Sequence, residues 1–412
     1  MNSDILKNRF VNAVITVLDA ANSPLQHQEI TVVQTKHHFL FGNAAFDLVP
    51  LCNDMVDGRD KQDLELRADK FLGLFNAATL PFYWARFEPE KGKPMTKEVK
   101  NAAKWCVERK VSVKGHPLCW HTLTADWLLA LNNDEILQAQ LARIQRDVTD
   151  FRGLIDTWDV INEAVIMPIF DKYDNGITRL CKEKGRINTI KTMFEATREA
   201  NPSATLLIND FDVSPAYDIL IEGCLEADIK IDVIGIQTHM HQGYWGIEKT
   251  LQVLEQFSRF NLPIHFTEST LISGKLMPPE IVDLNDYQVD EWPSTPEGEE
   301  RQALEAIQHY QTLFAHPLVE GITWWELVDG GWLNAPAGLI RQDGSSKPAY
   351  DALLNLVRNE WWIKPTKLVT DEHGQIRFPA VLGDYELTTR ENKCSFSVTR
   401  ENASRIAVNI AA

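Results

Sequence analysis

Between residues 38 and 358, apolar runs of strand length alternate with stretches of helical pattern. The apolar runs are FLFGNAAF (39–46), LFNAATLPF (74–82), VSVKGHPLCW (111–120), IDTWDVINEA (155–164), ATLLIND (204–210), DVIGIQTHM (232–240), LPIHFTEST (262–270) and EGITWWEL (320–327). Stretches such as KEVKNAAKWCVERK and DEILQAQLARIQRDVTDF lie between them, apolar at three- and four-residue spacing and charged elsewhere, the signature of amphipathic helices. Strand then helix, repeated eight times, predicts an α/β fold of (β/α)8 barrel type. An open doubly wound sheet is the rival, but no glycine-rich phosphate loop follows any early strand.

The ends of the chain have a different period. FVNAVITVLDA and EITVVQT, separated by the turn-forming ANSP, alternate apolar and polar residues as half-buried strands do. Beyond KPT (364–366) the same alternation returns in LVTDEHGQIRFPAVLGDYELTT and CSFSVTRENASRIAVNI. Neither end alone has enough strands for a core. The expectation is therefore one small β-sandwich shared by residues 1–37 and 364–412, beside a barrel at 38–363. Two separate fringes packed on the barrel are the alternative.

Composition narrows the function. The 412 residues are 44% hydrophobic and 24% charged, with no apolar run approaching the ~18 residues of a membrane helix. Lys and Arg number 41 against 58 Asp and Glu, a net charge of −17, which repels a phosphate backbone or an anionic bilayer. Neither nucleic acid nor membrane is an expected partner, and nothing in the pattern specifies an oligomeric state. The 12 Trp outnumber the 8 Tyr, a mild hint of flat faces for stacking on sugars. Six cysteines are scattered without a C-x-x-C pair, so no zinc ribbon or thioredoxin-like site is encoded. Residues 1–11 lack the apolar core of a secretory signal, which on its face predicts a cytoplasmic protein. A secreted chain trimmed of its leader would read the same.

In a barrel of this type the active site lies at the C-terminal ends of the strands. Here those ends carry His116, Trp120 and His121 (third run), Asn162 and Glu163 (fourth), Asn209 and Asp210 (fifth), Gln237, His239 and His241 (sixth), Glu268 (seventh), and Trp325 and Glu326 (eighth). Six convergent polar ends would oppose burial unless they surrounded a polar ligand. Glu163 and Glu268 each follow apolar strand residues directly, which sets them at the rim. Two carboxylates facing across a barrel mouth suit glycosidic cleavage, one protonating the leaving oxygen and the other attacking the anomeric carbon. Each Glu alone could equally cap a helix or pair with an Arg.

Taken together, these motifs resemble glycoside hydrolase family 10, the retaining endo-xylanases and their relatives, from about Phe39 to Leu354. WDVINEA (158–164) is similar to that family's acid/base strand, which implies Glu163 as proton donor and Asn162 as a hydrogen-bond partner of the sugar 2-hydroxyl. FTES (266–269) stands where the family has its nucleophile, implying Glu268. KGHPLCWH (114–121) and GIQTHMH (235–241) resemble the third- and sixth-strand motifs, with His116, Trp120, His121, Gln237 and His239 as implied substrate contacts. Asn209 and Asp210, the Trp325 and Trp332 pair, and DGSSKPAYDALL (343–354) complete the resemblance. It implies a carbohydrate substrate, a retaining mechanism and no cofactor.

Two departures qualify the family's default substrate. Where the second strand of the family presents a Glu-Asn pair and a Lys that grip the sugar, this chain reads TLPFYWARFEPE (79–90), with Pro81 and Tyr83 in their place. Charged hydrogen bonds are worth about 1.5–3 kcal/mol each, so recognition of an unbranched xylan chain should weaken. Glu326 stands where the family commonly has Gly, either pairing with a base such as Arg86 or shaping substrate choice. A metal role for His37-His38 or His239-x-His241 is disfavoured, since a His beside a carboxylate is better read as its hydrogen-bond partner. The acidic run 283–300 after the seventh strand is either a solvated surface or a wall over the cleft. Other readings within the clan are an exo-acting or glycoconjugate-specific enzyme; outside the enzyme class, a non-catalytic sugar-binding barrel remains.

Overall fold

The computed structural model describes residues 3–390 and 392–410. Eight parallel strands close into a barrel: Leu40–Ala44, Ala77–Pro81, Ser112–His116, Thr157–Asn162, Thr205–Asp210, Val233–Met240, Ile264–Leu271 and Val319–Trp324, numbered here barrel strands 1 to 8. Six lie wholly within one of the apolar runs; strand 7 extends one residue past its run, to Leu271, and strand 8 begins one residue before its run, at Val319. Strand 8 pairs with strand 1 in register from Gly321 opposite Leu40 to Trp324 opposite Asn43, which closes the ring.

Helices between the strands bury one face each. The helix Asn133–Asp150 starts at a capping box, with the Asn132 side chain accepting from Glu135 N and the Glu135 carboxylate accepting from Asn132 N. It then buries Ile136, Ile144 and Val148 against the barrel. Inside the ring, close approach depends on glycine: a Cβ on Gly115 would lie 2.2 Å from the ring of Trp158, which is itself fully buried and packed edge-on to Phe82. The acidic run after strand 7 divides. Thr295 caps the helix Pro296–Ala315 by accepting from Gly298 N, so Glu297, Glu299 and Glu300 belong to a helix start and only the residues before them are loop.

Strands from the two chain ends form two sheets. Phe10–Leu18 lies between Gln375–Val381 and Ile406–Asn409; Glu29–His37 lies between Thr366–Val369 and Gly383–Thr388, with Lys393–Val398 outermost. Their alternating inward residues share one apolar cluster that includes Ile15, Val17, Val32, Tyr385, Leu387 and Val398. The Arg9 guanidinium ties this unit to the barrel by donating to the carbonyls of Phe314, His316 and Val319. That attachment is at the start of strand 8, so the sheets sit at the N-terminal end of the barrel and leave the opposite mouth free. All six cysteines are free thiols. No helix among the described residues is long and apolar enough to cross a membrane.

Candidate active site

Glu163 is the first residue beyond barrel strand 4. Its φ of 56° is left-handed, a conformation an L side chain adopts at a cost of about 1–3 kcal/mol. The turn is held by Glu163 N donating to Asn209 O at 2.8 Å. Around the carboxylate, Trp120 Nε1 donates to Oε2 at 2.9 Å, while Asn162 Nδ2 at 3.1 Å and Gln237 Nε2 at 3.4 Å reach Oε1. Removal from water pushes the carboxyl up to about 8; the Trp120 bond works against this, and the charges of Asp210 and Glu268 add to it.

Glu268 sits within strand 7, buried, under a different balance. Burial again favours the neutral form, but His116, the hydrogen bond from His239 and the charge of Lys114 together hold the carboxyl below its ordinary value. Asn209 Nδ2 donates to Oε1 at 2.8 Å and His239 Nε2 to Oε2 at 3.1 Å. Because an ionised carboxylate only accepts, His239 carries a proton on Nε2, and its Nδ1 lies 3.3 Å from the Thr270 hydroxyl. The two glutamates are joined through amides: Asn162 Oδ1 accepts from Asn209 Nδ2 at 2.7 Å and from Gln237 Nε2 at 3.1 Å. Gly235 makes room for this relay, since a Cβ there would lie 2.5 Å from Asn209 Oδ1.

Aromatic rings wall the same space. Tyr83 meets His116 edge-on at 5.5 Å and Trp120 at 5.6 Å; Trp325 meets His116 at 5.2 Å; Trp332 meets His239 at 4.8 Å. Tyr83 faces this wall, whereas Leu80 and Phe82 of the same stretch are fully buried in the barrel packing. Thus Glu163, Glu268, His116, Trp120, Asn162, Asn209, Gln237, His239, Trp325, Trp332 and Tyr83 converge. His121 lies one layer behind, buried against Phe170 with no hydrogen bond to either ring nitrogen.

Glu326 is brought near the mouth but not to the two glutamates. It is 6% exposed, does not pair with Arg86, and its two oxygens lack hydrogen-bond partners; the Trp332 N–H lies close without completing a bond. Burial raises its pKa well above the ordinary carboxylate value. Burial therefore favours the protonated form of this group. With its folded pKa above its unfolded one, it holds a proton that the unfolded chain releases, so its contribution to stability declines as pH rises above about 4.5. Glu326→Gln, which cannot ionise, should raise the unfolding midpoint at pH 8 relative to the parent and leave it unchanged near pH 4; equal midpoints at both pH values would contradict the assignment.

Two charged residues, Asp159 and Lys114, were absent from the strand-end reading. Asp159, fully buried in strand 4, accepts from Lys114 Nζ at 2.6 Å and His116 Nδ1 at 2.7 Å, which fixes the tautomer of His116 and turns Nε2 to Glu268 Oε1 at 3.9 Å. Their signal was opposite charges inside otherwise apolar barrel strands. Asp210, pushed up to about 7 by burial, accepts from Val165 N and braces the turn that carries Glu163. His37 and His38 lie away from the mouth, bonded to Val357 O and to Asp384.

The site is thus a barrel mouth with two amide-linked carboxyls held in opposite protonation states, the arrangement that acid-assisted nucleophilic displacement at a sugar carbon requires. Residues 78–356 match Glycosyl hydrolase family 10, and the chain belongs to that family. Among curated relatives, endo-1,4-beta-xylanase C of Paenibacillus barcinonensis is 26% identical over 331 residues, covering 70% of this chain and 29% of that protein. Endo-1,4-beta-xylanase 2 of Arabidopsis thaliana is 24% identical over 421 residues, covering 97% and 34%. The chain therefore spans about a third of the length of these relatives. A solved family 10 structure from P. barcinonensis superposes with a TM-score of 0.63 at 23% identity, covering 78% of this chain and 95% of that one.

Proposed function

We propose that this protein is a retaining glycoside hydrolase acting on β-linked, xylan-type oligosaccharides or related short glycosides. Glu163 is the acid/base and Glu268 the nucleophile. The observation that carries this reading is the split between them: burial holds the Glu163 proton up to about 8, while His116, His239 and Lys114 outweigh burial and keep Glu268 ionised.

In the first step Glu268 attacks the anomeric carbon as Glu163 gives its proton to the departing oxygen, leaving a glycosyl ester on Glu268. Forming that ester removes the charge that helps hold the Glu163 proton. Glu163 then takes a proton from water, and the hydroxide so generated releases the sugar with its configuration retained. Asn162, held by Asn209 and Gln237, is placed to donate to a sugar hydroxyl beside the reacting carbon. Trp325, Trp332 and Tyr83 supply stacking faces. The sugar-binding barrel is disfavoured, since binding alone has no use for one protonated and one ionised carboxyl.

Activity requires Glu268 ionised and Glu163 protonated. kcat/KM on a xylo-oligosaccharide, whose leaving oxygen needs the acid, should therefore fall on the acid side below the ordinary carboxylate range and on the alkaline side near pH 8. NMR of the first-formed product should show the β-anomer. An α-anomer, or no turnover across aryl β-glycosides of several sugars, would overturn the proposal.

A further inference from the structure

The loops after barrel strands 4 and 7 meet across the mouth. Lys172, on the loop that follows Glu163, places Nζ 2.7 Å from Asp283 Oδ2 and 2.6 Å from Asp286 Oδ1, both on the loop that follows Glu268. Surface ion pairs usually contribute little because long side chains must be ordered to make them. Here both ends are ordered already. Phe170 and Tyr173, on either side of Lys172, pack on each other at 4.8 Å, and Phe170 packs on His121 at 4.5 Å. On the far side Gln242 Nε2 donates to Pro278 O and Ile281 O, Trp292 Nε1 to Lys275 O, and Asp283 accepts from Asn285 N. Trp332 Nε1 reaches Asn285 Oδ1 at 3.2 Å while its ring lies on His239, the partner of Glu268.

The geometry of the ring makes this contact consequential. Strands 4 and 7 are separated by strands 5 and 6 on one side and by strands 8, 1, 2 and 3 on the other. The strap thus runs along the same chord as the two glutamates, on the same two strands. A sugar chain whose scissile bond lies between an acid on one side and a nucleophile on the other crosses that chord. To continue on both sides it must thread beneath the strap, which a chain end or a short glycoside can do and the middle of a long polymer cannot.

We propose that Lys172, with Asp283 and Asp286, is a specificity determinant that closes the mouth to internal polymer segments and restricts the enzyme to chain ends and short β-glycosides. This rests on the hydrolase reading above. The test compares the parent protein with Lys172→Ala, Lys172→Arg and the double variant Asp283→Asn/Asp286→Asn, using 4-nitrophenyl β-xylobioside and soluble xylan. Opening the strap should raise kcat/KM on xylan fivefold or more and speed viscosity loss, with the aryl substrate changed less than twofold; Lys172→Arg should behave as the parent.

An unchanged ratio of the two activities in Lys172→Ala, or rapid viscosity loss by the parent, would overturn the strap while leaving the hydrolase standing. Calorimetric titration with xylo-oligosaccharides of increasing length reads the strap without turnover. A gain in affinity confined to the longer fragments in Lys172→Ala supports it even if no variant hydrolyses any glycoside, in which case the hydrolase reading alone fails. Identical affinities at every length, or no binding by either protein, overturn it.

Discussion

Replacing Glu268 by Ala is expected to lower turnover of every substrate by roughly four to six orders of magnitude, the range for loss of an essential nucleophile. No second carboxylate lies against the Glu268 oxygens to take over: their partners are the Asn209 amide and the His239 imidazole, and burial favours the protonated form of Glu163. Replacing Glu163 by Ala should act selectively. General acid assistance contributes typically 10²–10⁴-fold and matters most when the leaving oxygen is a poor leaving group. An aryl glycoside with a strongly acidic phenol should therefore retain its first step, a burst of phenol followed by slow release of the trapped ester. An alkyl glycoside or oligosaccharide should lose turnover at the first step. Stopped-flow absorbance and mass spectrometry of the quenched protein separate the two. Equal losses on both leaving groups, or a glycosyl ester formed by the Glu268 variant, would reverse or remove the roles.

Most of the barrel was legible because a parallel strand buried on both faces has to be an apolar run, and the runs at 204–210 and 232–240 end within a residue of the strands they announce. The convergence of strand ends was legible for a similar reason: polar groups such as Asn209 and Gln237 at the end of such a run have no stable place except around one another. The resemblance in WDVINEA and FTES then assigned roles that spacing alone left open. What the pattern concealed has a common physical cause. Lys172 and Asp283 are 111 positions apart on loops with no period, and in an acidic, loop-rich segment each looks like ordinary solvated charge. Glu326 was visible as a departure but its surroundings were not, since its isolation is made by the loop folding back through Gly331, where a Cβ would stand 2.9 Å from its Oε1.

The charges inside strands 3 and 4 carry the second large effect. Asp159 is fully buried and is the acceptor for both Lys114 and His116, so Asp159→Ala strands a lysine ammonium inside the barrel. Removing one partner of a buried pair typically costs about 3–5 kcal/mol, which denaturant unfolding should register as a lower midpoint at unchanged slope. The chemistry should suffer separately. A buried lysine without its counter-ion sheds its proton, and His116 loses the acceptor that fixes its tautomer and aims Nε2 at Glu268. Both are among the groups that hold the Glu268 carboxyl down against burial, so the acid limb of the pH profile should move to higher pH. Asp159→Asn discriminates a merely structural role from this one: it keeps the shape and an acceptor for His116 but removes the charge. The asparagine variant should recover part of the lost stability and still show the displaced acid limb. A variant as stable as the parent, or one whose acid limb stays in place, would mean that Asp159 does not set the ionisation of Glu268.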